Sequence, residues 1–568
     1  MLALVAIGLS ILSCHGLGNQ IRQDLNWWKS SVVYQIYPRS FQDSNGDGVG
    51  DLPGIINRLE HVKDLGADAL WLSPIYTSPQ ADFGYDISNF TNIDKLFGSL
   101  SDFDHLVAKA KKLGVRVLLD FVPNHSSNKH PWFLKSIDRI KPYDEYYIWR
   151  DGKIGPNGER QPPNNWLSVF GNIAWEWNEK RQQYYYHAFA IGQPDLNYRS
   201  LKLQQEMKDV LSFWMRRGVD GFRVDAVNQL FEVEDLRDEP LSGMDVPQNA
   251  YEYLDHPYTI DQDETYVVVA SWRKLLDDFI REHRTDGKPL IIEAHTTLPL
   301  TFKYYDAGVV PFNFMFIEKL NRSSSAYDFL KYINDWLEPI KKGNVTNWVI
   351  GNHDSSRAAT RFGKYGNRAD QISMLAMILP GITVVYEGDE IGMVDTPLTY
   401  KETLDPQGCI AGPERYVGKS RDPGRTPFQW DNTTSAGFST NTSTWLPVNS
   451  NYKTLNLAAQ KHTRISHYKV FQSLSSLKKS SVIREGSVKV AVVKNEVLAV
   501  VRKFKQETVT LLINFSDETI KIDAKTPLKI PGTMRVKTAS VQSKMSPGSS
   551  VNTARLSLRG ATSVVLHN

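Results

Sequence analysis

The stretch VRVLLDFVPNH (115–125) points to the fold class, because a buried strand runs directly into polar residues. Its unbroken apolar run is typical of a strand covered on both faces of a parallel sheet. Asp120, Asn124 and His125 lie at or just beyond the carboxyl end of that run. In α/β folds this end of the strands carries the functional residues. The stretch therefore predicts a parallel strand that delivers polar side chains to a site.

Similar apolar runs recur between about residues 30 and 390, separated by amphipathic patterns. The strand candidates are 32–37, 69–73, 115–122, 221–227, 289–294, 308–314, 347–354 and 382–388. Between them, 101–114 has apolar residues at helical spacing, and Ser101 with Asp104 predicts an N-terminal cap. Eight strand–helix units predict an α/β fold, a (β/α)8 TIM barrel, although a doubly wound open sheet has the same local pattern.

Two segments depart from this pattern. Residues 126–200, rich in Pro, Asn, Gly, Trp and Tyr, make the connection after strand 3 far too long for a plain loop, which predicts an inserted subdomain. Residues 471–568 alternate short apolar strands with polar turns and predict a C-terminal antiparallel β-sandwich. The catalytic barrel would then comprise 19–125 and 201–470.

Composition limits the partners. The chain has 568 residues with 66 basic and 63 acidic side chains, a net charge of +3. So small a charge gives no support for nucleic acid or an anionic membrane as the main partner. A hydrophobic content of 41% excludes intrinsic disorder and allows a large core.

The amino-terminal sequence and the glycosylation motifs favour secretion. Residues 1–13 are apolar but too short to span a bilayer, so we expect a signal peptide over 1–18. Cys14 belongs to it, which leaves Cys409 alone and excludes an intramolecular disulfide. No later segment has the length of a transmembrane helix. Asn-x-Ser/Thr motifs occur at Asn89, Asn124, Asn321, Asn344, Asn432, Asn441 and Asn514.

Four of the predicted strands end in acids or imidazoles, which a barrel would gather on one face. These residues are Asp120, Asn124 and His125; Arg223 and Asp225; Glu293 and His295; His353 and Asp354. A single buried acid is more often part of a structural ion pair, but four converging strand ends indicate catalysis. Glycoside cleavage needs one carboxylic acid and one carboxylate. Arg223, on the same strand face as Asp225, would keep that carboxylate ionised.

Several segments resemble a known family. DFVPNH (120–125), GFRVDAVN (221–228), IIEAH (291–295) and GNHD (351–354) resemble, in order, the four signature regions of the α-amylase family of glycoside hydrolases. QPDLN (193–197), SRDPGRTPFQW (420–430) and ADFGYDI (81–87) are similar to the oligo-1,6-glucosidase and α-glucosidase branch, which includes secreted insect-type maltases. The barrel, the insertion and the C-terminal sandwich match that family's three domains.

The resemblance implies a role for each site residue. Asp225 would be the nucleophile, Glu293 the general acid/base and Asp354 the stabiliser of the transition state. The residues implied to hold the terminal glucose are Tyr85, Asp86, His125, Arg223, His353 and Arg421. Asp86 and Arg421 would form a clamp that closes the inner subsite, with Arg425 as the fallback partner. A glycan on Asn124 is implausible because His125 belongs to the site.

The segment DSNGDGVGD (43–51) alternates oxygen donors like a cation loop. The EF-hand pattern fails, because Gly54 stands where the final Glu is required. Related glucosidases carry a similar loop, which implies a structural Ca²⁺; the alternative is an Asx-rich turn without metal. No cofactor is expected for catalysis. The implied ligands are Asp43, Asn45, Asp47, Asp51 and the backbone carbonyl of Val49.

The sequence thus predicts a secreted, exo-acting, retaining α-glucosidase acting on maltose-type substrates. In this branch small residues after the nucleophile accompany α-1,4 preference, and here that residue is Ala226. A sucrose-splitting or glucosyl-transferring enzyme of the same family is the main alternative. A non-catalytic heavy chain of amino-acid transporters is disfavoured, because all three acids are present and an N-terminal membrane helix is not predicted.

Overall fold

The computed structural model describes residues 23–363 and 368–568. The expected signal peptide and Cys14 lie outside the described residues. Eight parallel strands form one curled sheet, the wall of a (β/α)8 barrel. They are β1 (Val32–Ile36), β2 (Ala69–Leu72), β3 (Arg116–Phe121), β4 (Gly221–Val224), β5 (Leu290–Ile292), β6 (Val310–Pro311), β7 (Asn347–Val349) and β8 (Ile382–Tyr386). The predicted fold class is confirmed.

A helix follows each strand and packs around the barrel. The helices are α1 (Leu52–Asp64), α2 (Leu100–Leu113), α3 (Leu201–Arg216), α4 (Glu264–His283), α5 (Leu298–Asp306), α6 (Ala326–Leu337), α7 (Arg368–Ile378) and α8 (His467–Lys478). The cap of α2 differs from the prediction: Ser99 and Asp102, not Ser101 and Asp104, form the capping box. Among the described residues, no helix is long and apolar enough to cross a membrane.

The barrel closes through a side chain between β6 and β7. Strand pairing runs from β6 through β5, β4, β3, β2, β1 and β8 to β7. Asn347 on β7 bridges the remaining gap, because its Nδ2 donates to the carbonyl of Pro311 at 2.7 Å and its Oδ1 accepts from the amide of Asn313 at 2.8 Å. This completes the ring that brings all eight strand ends to one face.

Residues 126–200 fold over the carboxyl ends of the strands. A three-stranded antiparallel sheet joins Trp149–Arg150, Gln183–Tyr186 and Trp175–Asn178. The segment returns to the barrel where Asp195 forms a β-bridge with His125 and the amide of Leu196 donates to the carbonyl of Asn124 at 2.8 Å. The segment therefore forms one wall of any cavity at this face.

The C-terminal strands form an antiparallel sheet of six strands beside a two-stranded one. The larger sheet contains Ser487–Val493, Val497–Phe504, Glu507–Asn514, Ser563–His567, Thr533–Ala539 and Ser550–Asn552; the smaller one pairs Ile520–Ile522 with Leu556–Leu558. The domain boundary expected at residue 470 falls within α8, which belongs to the helical layer of the barrel.

Candidate active site

Arg223 is the centre of an ion cluster at the carboxyl ends of β3, β4 and β5. Strand register aligns it with Asp120 on β3 and Ile291 on β5. Its guanidinium donates to Asp120 at 2.7 Å and to Asp225 at 2.6 Å, and it also contacts Glu293. Arg223 is only 2% exposed, so these charges interact with little screening by water. One cation thus holds three carboxylates in fixed positions.

The backbone turns sharply directly after Asp225. Ala226 has a positive φ of 43°, a conformation that costs a residue with a side chain free energy and is often found at functional sites. The turn is held because the amide of Val227 donates to the carbonyl of Glu293 at 3.0 Å. It fixes the ends of β4 and β5 together, with Asp225 and Glu293 facing the same cavity.

The three carboxyl groups of the cluster differ in their pKa. Burial raises the pKa of Asp225 well above its usual range and that of Asp120 to about 6, despite the charge of Arg223. Burial also acts to raise the pKa of Glu293, but Arg223 and His295 outweigh it and lower that pKa to about 2. Without substrate, the arrangement therefore favours an ionised Glu293.

His353 stacks against two aromatic rings. The ring centroid of Tyr85 lies 5.3 Å from that of His353, and the ring centroid of Tyr37 lies 5.5 Å from it. Gln35 Nε2 donates to Nδ1 at 2.9 Å, which makes Nε2 the protonated nitrogen. Burial lowers the pKa of His353 to about 3, so the imidazole is neutral. Tyr85 is anchored in turn by Asp120 at 3.0 Å.

Asp354 lies beside two guanidinium groups. Arg425 approaches its Oδ1 at 2.9 Å and Arg421 at 3.3 Å. Burial acts to raise the pKa of Asp354, but the adjacent His353 and these two cations outweigh it and keep that pKa well below its usual range. Arg425 also donates through Nε to the carbonyl of His353 at 2.7 Å, so it fixes the backbone of this loop. Asp354 is ionised and faces the cavity.

The expected clamp between Asp86 and Arg421 is wrong. Arg421 instead pairs with Asp82 at 2.7 Å and with Asp405 at 2.6 Å. The carboxylate of Asp86 is fully buried and accepts from Ser78 Oγ and from the amides of residues 81 and 82 at 2.8–3.0 Å. It holds the shape of its own loop and does not line the cavity.

Loop geometry explains why Asp82 takes the position expected of Asp86. Phe83 and Gly84 both have positive φ, 47° and 105°, so the chain reverses between Asp82 and Tyr85. Both side chains thereby face the cavity. A Cβ on Gly84 would lie 3.1 Å from the carbonyl oxygen of Pro74, which favours glycine there. Asp86, which follows Tyr85, then turns away from the cavity, and its carboxylate accepts hydrogen bonds from backbone amides of the loop.

His125 lies on the insertion side of the cavity. Its Nε2 is 3.1 Å from both the carbonyl of Tyr85 and the amide nitrogen of Gln193. Gln193, in turn, donates to Asp82 at 3.2 Å, so it connects the insertion with the clamp. Asn124 is 1% exposed and donates to Asp195 at 2.9 Å. That burial agrees with the expectation that Asn124 carries no glycan.

One cavity of about 510 Å³ brings together Asp82, Tyr85, His125, Gln193, Asp225, Glu293, Asp354 and Arg421, whereas Arg223 and His353, which were expected to hold the substrate, contact these residues without lining the cavity. Charged and polar groups form its floor, and Val169, Phe170 and Phe189 contribute apolar surface from the insertion. Phe170 also lies under the guanidinium of Arg421, 5.1 Å from it. The size and lining suit a small, polar, uncharged ligand with apolar faces, such as a sugar.

The loop 43–51 holds its shape through hydrogen bonds. Asp43 accepts from the amides of Asn45, Gly46 and Gly48 at 2.7–3.0 Å, and Asp51 accepts from Gly54 at the start of α1. In the described part of the chain, no group of three or more acidic, His or Cys side chains is arranged to hold a metal. Ca²⁺ here therefore stays a prediction.

Sequence reasoning missed Asp82, Gln193 and Asp405 as parts of the site. Asp82 and Gln193 lie in ADFGYDI and QPDLN, two of the segments that carry the family resemblance, but a choice between two aspartates four residues apart needs the loop conformation. Asp405 stands in a region without regular motif, and only its ion pair with Arg421 reveals it.

Comparisons with known proteins identify the family of the chain. The alpha amylase catalytic domain family matches residues 35–486. The chain is 47% identical to an alpha-glucosidase of Apis mellifera, covering 93% of this chain and 91% of the relative. It is 42% identical to a salivary alpha-glucosidase of Anopheles gambiae, covering 100% and 97%. A crystal structure of an alpha-glucosyl transfer enzyme superposes with a TM-score of 0.84 at 35% identity, covering 95% and 99%.

Proposed function

Because the chain belongs to the alpha-amylase family and is a glycoside hydrolase, we propose that it is a secreted, exo-acting α-glucosidase that releases terminal α-1,4-linked glucose with retention of configuration. The observation that carries this proposal is a single cavity in which Asp225, Glu293 and Asp354 meet beside the Asp82–Arg421–Asp405 ion pairs.

In the first step, Asp225 attacks C1 of the terminal glucose while Glu293 donates its proton to the departing glycosidic oxygen. This requires an ionised Asp225 and a protonated Glu293. Substrate favours that distribution, because a glycosidic oxygen beside Glu293 can only accept a hydrogen bond and so favours the protonated carboxyl there, and the proton can come from Asp225, whose pKa is raised. The bond from C1 to the leaving oxygen breaks, and a glucosyl ester forms on Asp225.

In the second step, Glu293, now a carboxylate, takes a proton from water. The hydroxyl of that water attacks C1 and displaces Asp225, which leaves as a carboxylate. Glu293 ends protonated, so the cycle needs no external proton. Asp354, kept ionised by Arg421 and Arg425, stabilises the positive charge at the sugar in both steps. Asp225→Ala is expected to lower turnover by several orders of magnitude in a folded protein.

In our proposal the exo action rests on the ion pair of Asp82 with Arg421. These side chains can bind the outer hydroxyls of a terminal glucose through charge-assisted hydrogen bonds, which favours a chain end over the interior of a longer chain. Ala226, 8% exposed at the cavity, favours α-1,4 over α-1,6 bonds in our proposal. Starch is then a poor substrate.

The main alternative is transfer of glucose to a sugar rather than to water. One similar solved structure is that of an alpha-glucosyl transfer enzyme, and both outcomes use the same glucosyl ester. The rates on maltose, isomaltose, sucrose and starch test the proposal. Maltose is expected to be fastest with starch slow. Rapid internal cleavage of starch contradicts the clamp, and isomaltose outpacing maltose contradicts the role of Ala226.

Two features beyond the active site belong to the proposal. Secretion is supported by the apolar amino terminus and by the salivary alpha-glucosidase relative. A structural Ca²⁺ at Asp43, Asn45, Asp47, Val49 and Asp51 is supported by two buried carboxylates, Asp43 and Asp51, that have no basic partner among the described residues. A bound cation would neutralise these two carboxylates. To coordinate it, some of their oxygens would have to turn away from the backbone amides that now donate to them. It supplies no chemistry to the reaction.

A further inference from the structure

His295 separates the catalytic cavity from a second cavity. Its imidazole lines the first, of about 510 Å³, together with Glu293, and also a neighbouring one of about 490 Å³ together with Glu318. The mechanism described above does not use His295 or Glu318. Among the described residues, only Arg223 and His295 have side chains in hydrogen-bond contact with Glu293, the proposed general acid.

Three groups fix the imidazole. Nε2 lies 3.2 Å from Glu293 Oε1, and Nδ1 lies 2.8 Å from Glu318 Oε1. The ring stacks on Phe314 with centroids 4.8 Å apart and planes only 8° from parallel. Glu318, His295 and Glu293 thus form a hydrogen-bonded chain that ends at the carboxyl group of Glu293.

The geometry decides the charge of the ring. Each nitrogen faces a carboxylate oxygen, and an ionised carboxylate can only accept a hydrogen bond. Both nitrogens must then donate, so His295 is an imidazolium. Partial desolvation at the cavity wall opposes that charge, but the two carboxylates outweigh it and raise the pKa of His295 to about 10; because 55% of the side chain is exposed, water screens part of this effect.

We propose that His295 is a positioning residue for Glu293: the imidazolium, held by Glu318 and Phe314, orients Glu293 and stabilises the carboxylate that Glu293 becomes when the leaving group departs. This rests on the proposed function, which makes Glu293 the acid and then the base. The charge makes Glu293 a stronger acid in the first step.

The effect on pH dependence has a definite sign. Glu293 must be protonated to start the cycle, so the alkaline limb of kcat marks the loss of its proton in the substrate complex. Removing the imidazolium raises the pKa of Glu293 and moves that limb to higher pH. An opposite charge at this range shifts a pKa by about one to three units. The other groups that face Glu293 remain unchanged: Arg223, Asp225, Asp120, His353 and Asp354.

The test compares His295→Gln with wild type in kcat profiles on maltose and on 4-nitrophenyl α-glucoside, whose leaving group needs little protonation. We expect the alkaline limb on maltose to rise by about one unit or more, and the maltose rate to fall at least tenfold relative to the aryl rate. Glu318→Gln should give a smaller change in the same direction.

His256→Gln is the matched control. His256 also lines the catalytic cavity, stacks on an aromatic ring (Tyr251, 3.6 Å) and pairs with a carboxylate (Glu239, 2.7 Å), but it has no described contact with Glu293. An unmoved limb in His295→Gln, or an equal shift in His256→Gln, overturns the proposal.

A second measurement is independent of activity. ¹⁵N NMR of wild type at pH 8 should show His295 as an imidazolium, and a neutral ring there overturns the proposal. If wild type hydrolyses neither glucoside, the proposed function fails, while the NMR result still decides the charge of His295.

Discussion

Asp82→Asn tests the corrected clamp. The substitution keeps the size of the side chain and removes its charge. Arg421 stays in place, because it retains Asp405 at 2.6 Å and Asp354 at 3.3 Å. The substitution removes the ion pair of Asp82 with Arg421 as well as the interactions of the carboxylate with the substrate. Asp82 is 3% exposed, so no bulk water replaces them.

The size of the loss follows from hydrogen-bond energies. Hydrogen bonds to a charged group contribute about 1.5 to 3 kcal/mol each. A carboxylate that binds two sugar hydroxyls then contributes about 3 to 6 kcal/mol, which is roughly a 10²- to 10⁴-fold loss of kcat/KM on maltose. Thermal stability should change little, since burial already raises the pKa of Asp82 to about 6 and its ionisation is costly.

Asp86→Asn is the matched comparison. Its carboxylate accepts only from its own loop, so an amide loses loop hydrogen bonds, and the expected result is a lower melting temperature with a smaller loss of activity. Both variants are assayed for kcat/KM on maltose and for melting by circular dichroism. The reasoning is refuted if Asp82→Asn loses less than tenfold in kcat/KM while Asp86→Asn loses more.

Three further predictions concern stability. Chelation is expected to lower the melting temperature of wild type but not of Asp47→Ala; equal melting of both proteins, with and without chelator, shows a turn without metal. Arg502→Met should cost about 1 to 3 kcal/mol of unfolding free energy for each buried carbonyl it leaves without a donor, because Arg502 donates to four carbonyls at 2.6–3.0 Å and joins the C-terminal sheet to the end of α7; exposed Lys503→Met is the control, and equal losses contradict the prediction. Burial lowers the pKa of His130 to about 3, below its unfolded value, so its cost grows as pH falls from 6.5; His130→Asn should gain about 2 kcal/mol relative to wild type between pH 7 and pH 5 in denaturant titrations, and a constant difference contradicts this.

The sequence was sufficient for the alternation of strands and helices because strand periodicity and strand ends are local signals, and the family resemblance then favoured a barrel over an open sheet. Arg223 and Asp225 are two residues apart on one strand, so their shared face follows from the strand itself. The clamp was not predictable in the same way. Asp82 and Asp86 differ only in where a loop with two positive φ angles aims them. Arg421 meets Asp82 across 339 residues of sequence, a pairing that no periodicity encodes.

Capping and cation loops show the same limit. Ser99 and Ser101 both precede an aspartate at the right spacing, and the helix begins at the earlier one. The loop 43–51 has the donor types of a cation site, yet donor type alone does not fix where the oxygens point. Residue types along the sequence identify candidate capping residues and candidate ligands, and the long-range packing of the backbone determines which of them take those positions.

The anomer of glucose that is released first tests the central claim most directly. 4-Nitrophenyl α-glucoside is suited to this, because all of its glucose comes from the bond that is cleaved. Proton NMR in the first minutes, before mutarotation, should show α-glucose, since Asp225 and then water each invert C1. β-Glucose as the first product would contradict a retaining mechanism with Asp225 as nucleophile.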